Sequence, residues 1–236
     1  YVMSGAKGVK MPRGDKEQML KYIFSAPSNK EQEKISHLLH LLDERIATQN
    51  KIIEKLQSLI LGIANQVCNS KVGNTLIKDC LDCHTSTIQE SSVLEGGLYP
   101  VYGASGIAGY TNDYQVDEEA ILIIKDGSGV GKVSYVEGKF SVIGTLNYLT
   151  AKESYSLRYL YYCLMAFNFK SYKTGMAIPH IYFKDYSKAS VYCPKIENQE
   201  KVSETLSKIE EKLNIEKNFF AQLNEEKTYL LQKMFI

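Results

Sequence analysis

Three groups of residues have types and spacings that could do chemistry. Cys80, Cys83 and His84 spell C-x-x-C-H, the spacing that attaches haem covalently. With a fourth ligand such as Cys68 or Cys163 they could instead hold zinc. Haem attachment needs an oxidising compartment and an axial partner, and the sequence shows no charged-then-apolar export segment. Neither Cys68 nor Cys163 forms a second close pair, so partly buried thiols beside a surface histidine are the expectation. Asp126–Val133, DGSGVGKV, resembles a phosphate-binding loop, but that pattern needs glycine at Asp126 and Ser or Thr at Val133. His37 and His40 fall among leucines with no acidic partner patterned for catalysis, and no G-x-S-x-G or H-E-x-x-H occurs. No convincing catalytic constellation emerges, and no metal or cofactor is expected.

Basic and glycine residues form the third group. From 75 to 119 the only basic residue is Lys78, whereas Lys125, Lys132, Lys139, Lys152, Arg158, Lys170, Lys173, Lys184 and Lys188 crowd 120–190. Lys125, Lys132 and Lys173 flank glycine-rich turns, where backbone can approach a phosphate closely. Ser105, Thr145, Asn147 and His180 share such turns and could bond base edges. A solvated lysine face is the plain alternative.

Two long elements frame these turns. The stretch from Pro27 to Gln66 matches the stretch from Pro194 without a gap, at an offset of 167 positions. Gln32, Glu33, Lys34, Ser36 and Leu39 meet Gln199, Glu200, Lys201, Ser203 and Leu206. A fixed-offset self-match sets the architecture. Ile35, Leu39, Leu42, Ile46, Ile53 and Leu56 in the first copy follow an alternating four-three step, as do Val202, Leu206, Ile209, Leu213, Phe220 and Leu223 in the second. An apolar residue every three and a half positions keeps one seam toward a partner helix. Both copies are polar at the same slot, Gln49 and Glu216, and a polar seam residue disfavours slipped registers. Ser28 with Glu31 makes a capping box that Lys195 denies the second copy.

The 236 residues allow one or two domains, and a net charge of +1 says nothing about partners. No apolar run approaches the length needed to span a bilayer. Five cysteines, an odd count, point to a reducing cytoplasm and free thiols. Between the long helices, AILIIKDGSGVGKVSYV reads as two strands about a glycine turn and KFSVIGTLNYLTA as a strand pair or a bulged strand. SLRYLYYCLMAFNF suits a buried helix. The fold class expected is α+β: a mixed, mostly β body plus two long helices forming an antiparallel coiled coil. Its parts are the tail of a preceding repeat at 1–27, a first helix at 28–67, the body at 68–194 and a second helix at 195–236. Because 1–27 match 168–194, the sequence is expected to be a piece, or a half-length version, of a longer arrangement.

Four stretches together resemble the specificity (S) subunit of type I restriction–modification systems. They are Pro27 leading to EQEKI and Pro194 leading to NQEKV, YPVYGASGIAGY from Tyr99, ILIIKDGSGVGKV, and the KTGMAIPHIYFKDYSKASVYCP ending. The resemblance implies a non-catalytic subunit whose recognition domains each read one half of a split double-stranded DNA target. It implies helices that space the readers and dock the methylating subunits, which bring S-adenosylmethionine, and through them the restriction subunit. A helix of about 36 residues spans roughly 54 Å, against roughly 34 Å for a DNA turn. With one complete recognition domain, a homodimer is expected to restore the second reader. The residues expected at DNA are Tyr102, Ser105, Lys125, Ser128, Lys132, Thr145, Asn147, Lys173, Thr174 and His180. The alternative is a coiled-coil assembly protein whose body binds a protein or a glycan.

Overall fold

A computed structural model describes residues 20, 21, 23, 26–69 and 71–234. In chain order, helix α1 (Asn29–Asn69) leads to β1 (Thr75–Leu76), the single turn α2 (Ile77–Cys80) and β2 (Leu81–Thr85). The hairpin β3 (Tyr99–Gly103) and β4 (Gly106–Thr111) follows, then β5 (Val116–Asp117), β6 (Ala120–Ile124), β7 (Val133–Val136), β8 (Lys139–Val142) and β9 (Leu146–Ala151). Helix α3 (Leu157–Ala166), the short α4 (Phe183–Tyr186), β10 (Ser190–Val191) and helix α5 (Ile196–Met234) complete the order. The fold is mixed α+β with two long helices, as the periodicities require.

The chain divides into two compact units, one of residues up to Thr48 with Gln222 onward, the other Gln49–Ala221. In the first, the seam residues Ile35, Leu39, Leu42 and Ile46 are half-buried and Leu223 is buried. An ion pair joins Lys227 to Asp43. Helix α1 opens with the Glu31 carboxylate accepting from the Ser28 hydroxyl at 2.7 Å and the Ser28 N–H at 2.9 Å. Those two bonds, the hydroxyl's foremost, hold the Glu31 carboxyl below the ordinary carboxylate range.

In the second unit the polar seam slots meet one another. The Gln49 amide donates to the Glu216 carbonyl at 3.1 Å and also to its carboxylate. Residues separated by the repeat offset itself therefore face each other, which places a local two-fold relation between the helices at this pair. Ile53, Ile60, Leu206 and Leu213 are buried in one cluster, with Leu56, Val202, Ile209 and Phe220 packed against it. The Glu216 carboxyl is held low by the Lys212 ammonium and then by the Gln49 amide. A depressed carboxyl stabilises the fold above its unfolded pKa, and that contribution is lost as pH falls through the folded pKa. Glu216→Gln is accordingly expected to flatten the fall in unfolding temperature between neutral and acid pH. An unchanged slope in thermal scans at stepped pH would contradict this.

Two four-stranded sheets stand beside a β1–β10 pair: β2-β9-β6-β7 and β4-β3-β8-β5. Strand β6, AILII, is buried at every position. Ile121 and Ile123 face the cluster shared with α3 and the long helices, while Ala120 and Leu122 face the core that holds Val101, Phe140 and Val142. Burial on both faces explains a continuous apolar run where alternation would mark a half-buried strand. The KFSVIGTLNYLTA strands do not pair with each other: β8 joins the second sheet and β9 the first. The chain crosses between sheets at Gly144, whose N–H donates to the Ile88 carbonyl at 2.8 Å.

The expectation that all five thiols are free is corrected, because a disulfide joins Cys68 to Cys163 with Cα atoms 5.5 Å apart. Within C-x-x-C-H both cysteines pack in the cluster shared with α3 and the long helices, whereas His84 does not. Cys80 is buried with its thiol on the Ile77 carbonyl, and the half-buried Cys83 thiol is pushed up to about 11, chiefly by burial. His84 is exposed, stacks on Tyr148 and bonds Thr150 at 3.1 Å. Among the described residues no group of three His, Cys, Asp or Glu could hold a metal ion. Among them, too, no helix is long and apolar enough to cross a membrane.

Candidate nucleic-acid interface

Strand register brings three connections to one edge of the paired sheets. Ile124 ends β6 opposite Leu146, where β9 begins, and the 125–132 connection turns back there into β7. Strand β8 runs parallel to β3 with Val142 beside Tyr102, so the β3–β4 turn at Ser105 lies at that edge as well. The Asp126–Val133 segment joins two antiparallel strands rather than a strand and a helix, which removes the phosphate-loop geometry.

Backbone hydrogen bonds then fasten a fourth segment to the same edge. Lys125 N–H donates to the Thr145 carbonyl at 3.0 Å, Ile181 N–H to the Lys125 carbonyl at 2.9 Å, and Gly127 N–H to the Pro179 carbonyl at 2.9 Å. Thr174 and His180 exchange N–H to carbonyl bonds at 2.9 and 2.8 Å. Lys125, Ser128, Lys132, Thr145, Lys173, Thr174 and His180 are thereby collected on one surface, although their segments are as much as 55 positions apart in sequence.

An open depression on this surface is lined by Ser128–Lys132, Phe167–Lys170 and Lys173. Gly131 has φ +88°, and a β-carbon there would stand 2.8 Å from the Phe169 β-carbon. Gly127 has φ +98° but open space around it. The left-handed conformation costs an L-residue about 1–2 kcal/mol, and overpacking adds about 1–3. Gly131→Ala should therefore destabilise by about 2–5 kcal/mol and Gly127→Ala by about 1–2. Urea unfolding of the two variants checks this, and equal losses would contradict it.

Ion pairing sorts the basic residues of 120–190. Lys139 pairs with Asp117, Lys152 with Asp82, and Arg158 with Glu137 and Glu210. Lys125, half-buried, pairs with its neighbour Asp126 at 3.4 Å. Lys132, Lys170, Lys173, Lys184 and Lys188 are exposed, and among the described residues none has an acidic partner within ion-pair distance; only the first three line the depression.

Not every residue expected at DNA reaches this surface. Asn147 lies in β9, not in a turn, and is only 5% exposed, beside the Cys83 thiol. It is withdrawn from the set that could meet a ligand, because its own side chain is buried in the sheet. Tyr102 is half-buried, edge-on to Phe140 at 5.7 Å, and burial raises its phenol. Ser105 is exposed at its turn. Asn168 and Lys170 were not expected here. Asn168 accepts from the Lys170 N–H at 3.1 Å and caps the turn at Phe169–Tyr172, so the signal was an Asn two positions before a Lys at the end of an apolar helix.

A family profile described as the type I restriction modification DNA specificity domain matches residues 66–225, more than half of the chain. The chain belongs to this family. By sequence it is 25% identical over 116 residues to the EcoprrI specificity subunit of Escherichia coli, a match covering 49% of this chain and 29% of that one. It is 32% identical over 89 residues to a putative type I restriction enzyme specificity subunit of Haemophilus influenzae, covering 36% of this chain and 23% of that one. Each match spans less than a third of the relative's length. The fold is similar to the crystal structure of a type I restriction–modification S subunit from M. genitalium, with a TM-score of 0.70, 19% identity, and 99% of this chain and 68% of that one covered. It is also similar to the HsdS subunit from Thermoanaerobacter tengcongensis, with a TM-score of 0.54, 17% identity and coverage of 99% and 65%. Membership of this family does not favour a coiled-coil assembly protein with a protein- or glycan-binding body.

Proposed function

We propose that this specificity-family chain binds double-stranded DNA through the edge formed by Ser105, Lys125–Lys132, Thr145 and Lys173–His180, and reads one half of a split target. The observation that carries this is the trio Lys132, Lys170 and Lys173, cations gathered at one depression without acidic partners among the described residues, around backbone turns that are fixed in place. Cations so arranged contact phosphates and set register, while short polar side chains beside them reach base edges. On this reading residues 68–194 form the recognition domain, the chain carries no active site, and methylation and cleavage belong to modification and restriction subunits that dock on it. Selection of bound duplexes from a random pool tests the reading. One recurrent half-site and salt-dependent affinity are expected; a pool without enrichment, bound equally at all salt concentrations, would overturn it.

A second reader is also proposed, and the repeat supports it. In the second unit, Gln199 accepts from the Ser156 N–H at 3.0 Å, and Ser207 accepts from Arg158 at 3.1 Å, so α5 seats the start of α3. The positions matched by the offset on α1 are Gln32 and His40, both exposed. Gln32 even repeats its counterpart's bond, donating to the Pro27 carbonyl at 2.8 Å as Gln199 donates to that of Pro194 at 2.7 Å. This face would seat the same helix of another recognition domain, and a second copy of this chain would supply one. Light scattering should then give a dimer mass, reduced to monomer by Gln32→Trp; a monomer for the unaltered chain removes the homodimer.

A further inference from the structure

Beside the lysines, the 174–180 turn presents apolar side chains outward. Met176 is fully exposed, at 104% of its reference area, and Ile178 is 67% exposed. Single exposed hydrophobics are ordinary, but this turn cannot fold them away. The two bonds between Thr174 and His180 close it, and Pro179 is held by the Gly127 N–H. Gly175 sits at φ +86°, and a β-carbon there would lie 2.4 Å from the Ile178 carbonyl oxygen. The backbone is thus committed to a tight conformation that points two apolar groups into solvent. Lys173 flanks one end and His180 the other, with Tyr182 edge-on to the His180 ring at 4.9 Å.

We infer that Met176 and Ile178 form an apolar wedge that enters a groove of the bound duplex and unstacks one base step. The inference rests on the DNA-binding reading and goes beyond it, since it assigns the protein a deformation of its target. Charge decides the partner. An apolar tip flanked by Lys173, on the surface that also carries Lys132 and Lys170, suits a polyanion with an apolar stacked interior, whereas lysine is depleted at the apolar centres of protein interfaces. Phosphates held by Lys132, Lys170 and Lys173 would bring the tip to the base edges, and Met, Ile and similar wedges at a step kink DNA by about 20–90°. Pyrimidine–purine steps unstack most easily, so the wedge adds sequence preference at a step that no polar side chain reads.

The test uses the whole chain and duplexes selected by it, with 2-aminopurine replacing adenine at one position at a time. Binding is followed separately by the anisotropy of an end label. The unaltered chain should raise 2-aminopurine emission several-fold at one step, and that step should be TA or CA/TG in the selected pool. Met176→Ser with Ile178→Ser should leave thermal unfolding unchanged, bind within about tenfold, and abolish the rise; Met176→Leu should keep it. A bound complex with no rise at any position, or a rise that persists in the double serine variant, overturns the wedge while the DNA reading stands. Absence of duplex binding by the unaltered chain overturns both.

Discussion

Replacing Lys132, Lys170 and Lys173 together by alanine is expected to weaken duplex binding about 500-fold at 0.1 M salt. The figure follows from counterion release, where log K falls with log salt at a slope of about −0.9 per neutralised phosphate. Three lost contacts reduce the slope by about 2.7, and one decade below 1 M salt that becomes about 500-fold in affinity, or about 8-fold for each single change. All three side chains are exposed, so folding should be unaffected and the loss belongs to binding. Lys139 and Lys152 serve as controls of equal charge, because Asp117 and Asp82 already neutralise them. Affinity measured from 0.05 to 0.4 M salt decides the matter. A slope change below 1 for the triple variant, or a drop of equal size for Lys139→Ala, would contradict the assignment.

The parts of this fold that were legible in the sequence are those governed by local periodicity. A four-three apolar step with an S-x-x-E start is sufficient for α1, and a glycine turn between apolar runs for β6 and β7. The repeat added something periodicity alone could not: equal polar slots at Gln49 and Glu216 meet because an antiparallel pair of matched helices brings one position onto its own counterpart. What stayed hidden depended on pairing between distant segments. Asp117 lies directly opposite Lys139 in the β5–β8 register, and only that register separates a neutralised lysine from one that can attract phosphate. Asn147 looked like a turn residue beside Gly144 because the switch of sheets between β8 and β9 leaves no local mark. Lys170 joins Lys132 only because Phe169 packs against Gly131, a contact across nearly forty residues.

Removing the bond between Cys68 and Cys163 is expected to cost the Gln49–Ala221 unit about 4 kcal/mol of stability. The two cysteines are 95 positions apart, and a crosslink of that span removes unfolded-chain entropy worth about 4–5 kcal/mol in the loop-closure account. Both side chains are buried, at 6% and 2% exposure, so Cys163→Ala also leaves a small cavity, and about 1 kcal/mol of further loss is expected from it. The tie holds the last turn of α1 to α3, the helix that α5 grips through Ser207 and Glu210. Urea unfolding of the unaltered chain and of Cys163→Ala, each with and without reductant, separates the contributions. Reductant should bring the unaltered chain to within about 1 kcal/mol of the variant and leave the variant unmoved, since Cys80, Cys83 and Cys193 are free thiols. If reductant moves neither, the pair stands in solution as two buried thiols, and the reducing environment suggested by the odd cysteine count prevails over the crosslink.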